Sequence, residues 1–163
     1  MISLALKPFL LRAIAFASTL MMSVAIVGNL PKFKERRQRY FSEAATDGNV
    51  HRMRWLQLAG VNVNPHGAPP LVLAAREGRV NAVRYLLDQG ADVNARDASG
   101  HNALAEATYF AQVPVIKELL ARGANINALT NGATPLDIAL TRNDNAVIDL
   151  LKHYGGRPAN EVQ

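Results

Sequence analysis

From residue 41 onward, apolar positions recur with a period too long for one helix and too regular for a loop. Four segments, 41–60, 71–90, 104–123 and 136–155, align without internal gaps. Each opens on Phe41, Leu71, Leu104 or Leu136 and closes nineteen residues later on Gly60, Gly90, Gly123 or Gly155. The start-to-start distances of 30, 33 and 32 residues fall in the range of stacked repeats. Within each unit the pattern predicts two short helices. The first keeps small residues after its opening position: Ala44 and Ala45, Ala74 and Ala75, Ala107 and Thr108, then Ala139 followed by Leu140. The second carries Met53, Val83, Ile116 or Ile148 and, three residues on, Leu56, Leu86, Leu119 or Leu151, the spacing of a buried helical stripe. The closing glycine predicts a left-handed helix cap. One such unit cannot bury its apolar face alone, so neighbours must stack.

The pattern ahead of residue 41 is different. Residues 9–30 hold a single charge, Arg12, and the uncharged stretch 13–30 is eighteen residues long. As a helix it reaches about 27 Å, close to the hydrocarbon thickness of a bilayer. Arg12 stands near the end of the run, where its side chain can reach the headgroups. A cleaved secretory signal is the competing reading, with Ser23, Val24 and Ala25 as a small-x-small cleavage site. After the run, residues 31–39 carry five bases, Lys32, Lys34, Arg36, Arg37 and Arg39, against Glu35. This bias favours an anchor with its C-terminal side in the cytoplasm, a single-pass topology with periplasmic or secreted localisation as the alternative. The five bases are placed for contact with anionic lipid, each worth about 1 kcal/mol near the surface. The expected organisation is an anchor or signal over 1–30, a basic juxtamembrane linker over 31–40, a repeat domain over 41–156 with repeats near 41–64, 65–96, 97–129 and 130–156, and a tail over 157–163.

Charge changes this picture only through its distribution. The 163 residues carry a net charge of +5, which invites a nucleic-acid or membrane partner. Residues 1–40 hold seven bases and one acid, leaving eleven bases and twelve acids for residues 41–163. A nearly neutral body lacks the cationic surface that sequence-independent nucleic-acid binding runs on, so no nucleic-acid partner is expected. The absence of cysteine excludes disulfides, zinc–thiolate sites and a cysteine nucleophile.

The units resemble the ankyrin repeat family, whose pattern runs through TPLH-x-AA, G-x-x-x-V, LL and GADVN. Thr134, Pro135 and Leu136 match TPL. Gly90-Ala91-Asp92-Val93-Asn94 is a full match to GADVN, Gly123-Ala124-Asn125-Ile126-Asn127 nearly so, and Gly60-Val61-Asn62-Val63-Asn64 a degenerate one. The family histidine after TPL is absent, with Ser42, Val72, Ala105 and Asp137 in its place. The resemblance covers residues 41–156 and implies an all-α solenoid of helix-turn-helix repeats with short β-hairpin fingers. One finger, between Gly60 and Leu71, is stunted; two full ones are expected around 95–101 and 128–133. The first and last units suit capping repeats.

No catalytic signature occurs among His51, His66, His101 and His153: none sits in a zinc-protease helix motif, a nucleophile elbow or a phosphate loop. No enzyme activity, cofactor or resident metal is expected. Carboxylates are scattered singly and read as solvated surface groups, and a metal shared by His66 and His101 is a two-ligand guess. Trp55 reads as cover for the first helix pair, with interface anchoring as the alternative. The resemblance implies protein recognition through finger tips and the concave face of the first helices. Carried onto this chain, the candidate contacts are His66, Ala68, Arg76, Glu77, Ala98, Ser99, His101, Tyr109, Phe110, Thr130, Asn131, Thr141 and Arg142. Tyr109 and Phe110 fill slots held by Arg76 and Glu77 in one flanking repeat and by Thr141 and Arg142 in the other. A central aromatic pair is a common interface hot spot. The alternative is that Ala111, replacing a helix-ending glycine, lengthens the helix and turns one ring into the core.

Overall fold

The computed structural model describes residues 31–67 and 69–162. The expected membrane or signal segment at residues 9–30 lies outside them; among the described residues no helix is long and apolar enough to cross a membrane. The chain divides into two compact units between Arg37 and Gln38, and the second carries the repeats. Eight α-helices are described: α1 Pro31–Asp47, α2 Val50–Leu58, α3 Pro70–Arg76, α4 Val80–Asp88, α5 Ala103–Tyr109, α6 Val113–Ala121, α7 Pro135–Arg142 and α8 Asn145–His153. A short 3-10 turn, Ala159–Glu161, follows. Residues 31–40, read above as a linker, are helical and continue into the first repeat helix.

The pairs α1–α2, α3–α4, α5–α6 and α7–α8 fall on the four predicted units. Starts are set by local chemistry. Asn49, Asn102 and Asp144 accept hydrogen bonds from N–H groups three residues on, satisfying donors that a helix N-terminus leaves open. At α7 the Thr134 and Asp137 side chains cap each other's backbone reciprocally. Stops are set by left-handed residues. Gly60, Gly90, Gly123 and Gly155 all have positive φ, and at three of them the next residue donates back across the helix end, as in Ala91 N–H to the Leu86 carbonyl at 2.9 Å.

The first helices α3, α5 and α7 pack in succession, and so do the second helices α2, α4 and α6. Alanine lets the first helices approach: Ala44, Ala45, Ala74, Ala75, Ala107 and Ala139 are buried, beside Phe41, Leu71, Leu104 and Leu136. Met53, Val83, Ile116 and Ile148 fill the layer beneath. At Gly78 a Cβ would run into the Gln112 side chain.

The last asparagine of each GADVN-like loop then ties each repeat to the next. Asn64 Oδ1 accepts from Asp92 N–H at 2.9 Å, Asn94 Oδ1 from Asn125 N–H at 2.9 Å, and Asn127 Oδ1 from Arg157 N–H at 2.8 Å. Among the described residues no repeat precedes the first, and Gln38 takes that role, gripping both backbone groups of Asn62.

Three expectations need correction. The fingers contain no β-strand among the described residues. They are tight turns with one isolated bridge each, Arg96 with Asn102 and Thr130 with Ala133, because turn bonds consume the few residues available: Asp97 Oδ1 accepts from both Ser99 N–H and His101 N–H. Trp55 does not cover the first helix pair; it is 74% exposed, since among the described residues no second helix precedes α2 to receive it. Ala111 does not lengthen its helix. It adopts φ 53°, a conformation costing an alanine roughly 1–2 kcal/mol, and α5 ends at Tyr109.

The C-terminal segment docks on α7, where Asp137 Oδ2 accepts from Ala159 N–H at 2.9 Å. Burial opposes ionisation of Asp137, but bonds from Thr134 N–H, the Thr134 hydroxyl and Ala159 N–H outweigh it and hold the carboxyl below the usual aspartate range. A depressed folded-state value stabilises the fold above the unfolded-state value of about 3.9, and the contribution disappears as pH falls through the lower one. Asp137→Asn should therefore cost about 1 kcal/mol near neutral pH, with the gap in melting temperature narrowing as pH falls below about 3.9. Thermal melts of both proteins across that range check this, and a constant gap would contradict it.

Candidate interaction groove

The helix stop at Ala111 decides how the aromatic pair is presented. Because the chain reverses immediately after Phe110, neither ring turns inward: Tyr109 is 48% and Phe110 45% exposed. Their rings meet edge-to-face with centroids 5.1 Å apart, a favoured aromatic geometry. Each carries a cation from a flanking repeat. The Arg142 guanidinium lies 4.3 Å from the Tyr109 centroid and that of Arg76 5.9 Å from Phe110, both within cation–π range.

Beneath the rings lies a carboxylate that the sequence reading missed. Glu106 is 5% exposed, and its two oxygens are held separately. Arg76 Nε donates to Oε2 at 2.7 Å, and His101 Nδ1 meets Oε1 at 2.6 Å. Asn131 Nδ2 stands 3.1 Å from His101 Nε2. The hydrogen bond to Glu106 raises the Arg76 pKa, with burial working the other way. One buried acid thus links side chains from three successive repeats, and it fixes the Arg76 side chain beside Phe110. Its slot was the available signal: the two flanking repeats hold Leu73 and Ile138 there, although the first repeat holds Glu43.

These groups border a cavity of about 470 Å³. Of the residues singled out from sequence, Arg76, Ser99, His101, Tyr109, Phe110, Thr130 and Asn131 line it. Thr141 and Arg142 line a smaller cavity of about 160 Å³ that shares Tyr109. Glu77 is exposed as the C-cap of α3, and His66 and Ala98 are exposed; none of the three lines either cavity. Ala68 lies outside the described residues. Ala105, Ala133 and Ile138 complete the apolar lining. The Thr130 hydroxyl is buried without a protein hydrogen-bond partner, an uncompensated polar group at the cavity edge.

Among the described residues one group of three candidate ligands lies close together, and its members are engaged by protein groups. The ligand atoms of Asp97, His101 and Glu106 lie within 4.8 Å of one another. Asp97 holds backbone N–H groups, and Glu106 holds Arg76 and His101. His101 engages Glu106 and Asn131, and the structure does not bring it together with His66 in a shared ligand set. The groove therefore offers an apolar, aromatic floor, cationic edges and scattered hydroxyl and amide groups.

Removing Arg76 leaves the Glu106 carboxylate buried without its cation, so Arg76→Ala should cost about 1–3 kcal/mol, towards the lower end because Arg76 is 38% exposed. Glu106→Leu restores the residue type of the flanking repeats and frees an arginine that can rehydrate, so it should cost less. Denaturant melts check the ranking; a larger loss from Glu106→Leu would contradict it.

Comparison with known proteins agrees with this architecture. The family model described as ankyrin repeats in three copies matches residues 29–97, and the single ankyrin repeat model matches residues 99–131. The chain is 34% identical over 110 residues to ankyrin repeat and SAM domain-containing protein 6 of Rattus norvegicus, covering 60% of this chain and 12% of that protein. It is 33% identical over 133 residues to a putative ankyrin repeat-containing protein of Treponema pallidum (strain Nichols), covering 78% of this chain and 43% of the relative. It is 29% identical over 120 residues to the DNA replication inhibitor plutonium of Drosophila melanogaster, covering 73% and 65% respectively. The chain thus spans less than two thirds of the length of each relative.

Proposed function

Because the chain belongs to the ankyrin repeat family, whose repeats are protein–protein interaction modules, we propose that it binds a protein partner through the groove centred on Tyr109 and Phe110 and holds that partner at a membrane. The observation that carries the groove reading is the pair of half-exposed rings at the end of α5. Large apolar groups left open in mid-groove gain little by facing water and much by being covered. Arg76 and Arg142 beside the rings favour a partner segment that presents an apolar or aromatic side chain next to carboxylates, and the Thr130 hydroxyl offers one further hydrogen bond.

The tether rests on the sequence. Residues 9–30 are long enough and apolar enough to span a bilayer. The basic side chains that follow suit an anionic leaflet: Lys32, Lys34, Arg36, Arg37 and Arg39, the last of which shares Glu43 with Arg52 at 3.7 and 3.8 Å. The second reading is an exported binding protein, favoured by the Ser23-Val24-Ala25 site. An unprocessed chain released only by detergent supports the tether. A soluble chain starting near Ile26, seen by intact-mass measurement, supports export.

The groove reading is tested by Tyr109→Ala together with Phe110→Ala. Truncating a central hot-spot aromatic costs about 2 kcal/mol or more, so the pair should weaken a micromolar complex by roughly a thousandfold. Helicity and melting should stay nearly unchanged. A double mutant that melts well below the wild type and still captures the partner would place recognition elsewhere.

A further inference from the structure

The outer face of α2 leaves the two most exposed large apolar side chains among the described residues uncovered: Trp55 at 74% and Leu58 at 76%. In the next two second helices the Trp55 slot leans on the preceding repeat: the Tyr85 hydroxyl donates to Gln57, and Glu118 accepts from Arg84. Among the described residues the first repeat has no such predecessor. At about 100° per residue, His51, Trp55 and Leu58 stand opposite buried Met53, with Arg54 and Arg52 on the two flanks. No carboxylate occurs in α2. Residues 38–58 hold three bases, Arg39, Arg52 and Arg54, and two acids, Glu43 and Asp47.

We propose that this face docks on an anionic lipid bilayer. Trp55 and Leu58 enter at headgroup depth, while Arg54 meets lipid phosphates. An indole, apolar in body with one N–H donor, suits that depth, and arginine can lay its stem along apolar surface while its head stays with the phosphates. The face is poorly built for another repeat or for end-to-end stacking of a second copy. Arg52 stands where the later second helices bury Ala82, Val115 and Val147; Glu43 and the Tyr40 ring hold it at that end of the stack. The bilayer is then a docking surface for the repeats as well as an anchoring point, a deepening that rests on the tether reading for its membrane.

Trp55 is the chain's one tryptophan, so its fluorescence reports this face alone. The full chain is reconstituted into phosphatidylcholine vesicles containing phosphatidylglycerol, with and without brominated acyl chains. The expected result is emission shifted to shorter wavelength and quenched by bromine, with quenching reduced severalfold by Leu58→Glu while melting is unchanged. Emission of a water-exposed indole without bromine quenching, from chain incorporated in the vesicles, would overturn the proposal. A shift that follows protein concentration in detergent would also overturn it and assign the face to a second copy. The tether fails separately, as chain removed from vesicles by an alkaline wash, and quenching of that released chain by added vesicles still reads the docking face.

Discussion

Stacking of small-residue helix faces is the constraint on which everything else in this protein depends. A seven-residue helix such as α5 has no stability of its own in water, and its buried face exists only because α3 and α7 cover it. Alanine at the contact brings the first helices close, and the asparagine loops fix one repeat against the next through backbone donors. The same stacking places side chains from three repeats around one point on the groove, so the geometry of the groove is a by-product of how the fold buries its core.

Glu106 is where that scheme is broken to a purpose. A carboxylate where both flanking repeats are apolar costs burial, offset here by Arg76 and His101 from either side. In return the side chains that border the cavity are held in one arrangement before any partner arrives, which lowers the ordering cost of binding. Ala111 makes a comparable exchange: a strained left-handed alanine ends α5 at the slot where Gly78 ends α3, and Tyr109 and Phe110 stay presented rather than buried.

The repeat register was legible in the sequence because it rests on positions the stack must fill: Leu104 opening a unit, Ile116 and Leu119 three apart, Gly123 closing it. The caps were legible for the same reason, since Thr134 and Asp137 answer a local need of the helix end. Glu106 was not, because its partners Arg76 and Asn131 are remote in sequence and a single acid on a helix looks solvated until the neighbouring repeats are in place. Strand-like fingers were inferred from the family pattern, and here Asp97 spends the turn's N–H groups on itself. Trp55 was misjudged because large apolar residues are usually covered, whereas an end repeat has a side that no neighbour reaches.

The central claim is that the first-helix groove, and not the second-helix surface, meets the protein partner. Photo-crosslinking in cells tests it most directly, with a photoactivatable phenylalanine analogue placed at Tyr109 in one chain and at Lys117 of α6 in another. The account predicts a protein adduct from the groove position and none from Lys117. Adducts formed from Lys117 alone would contradict it.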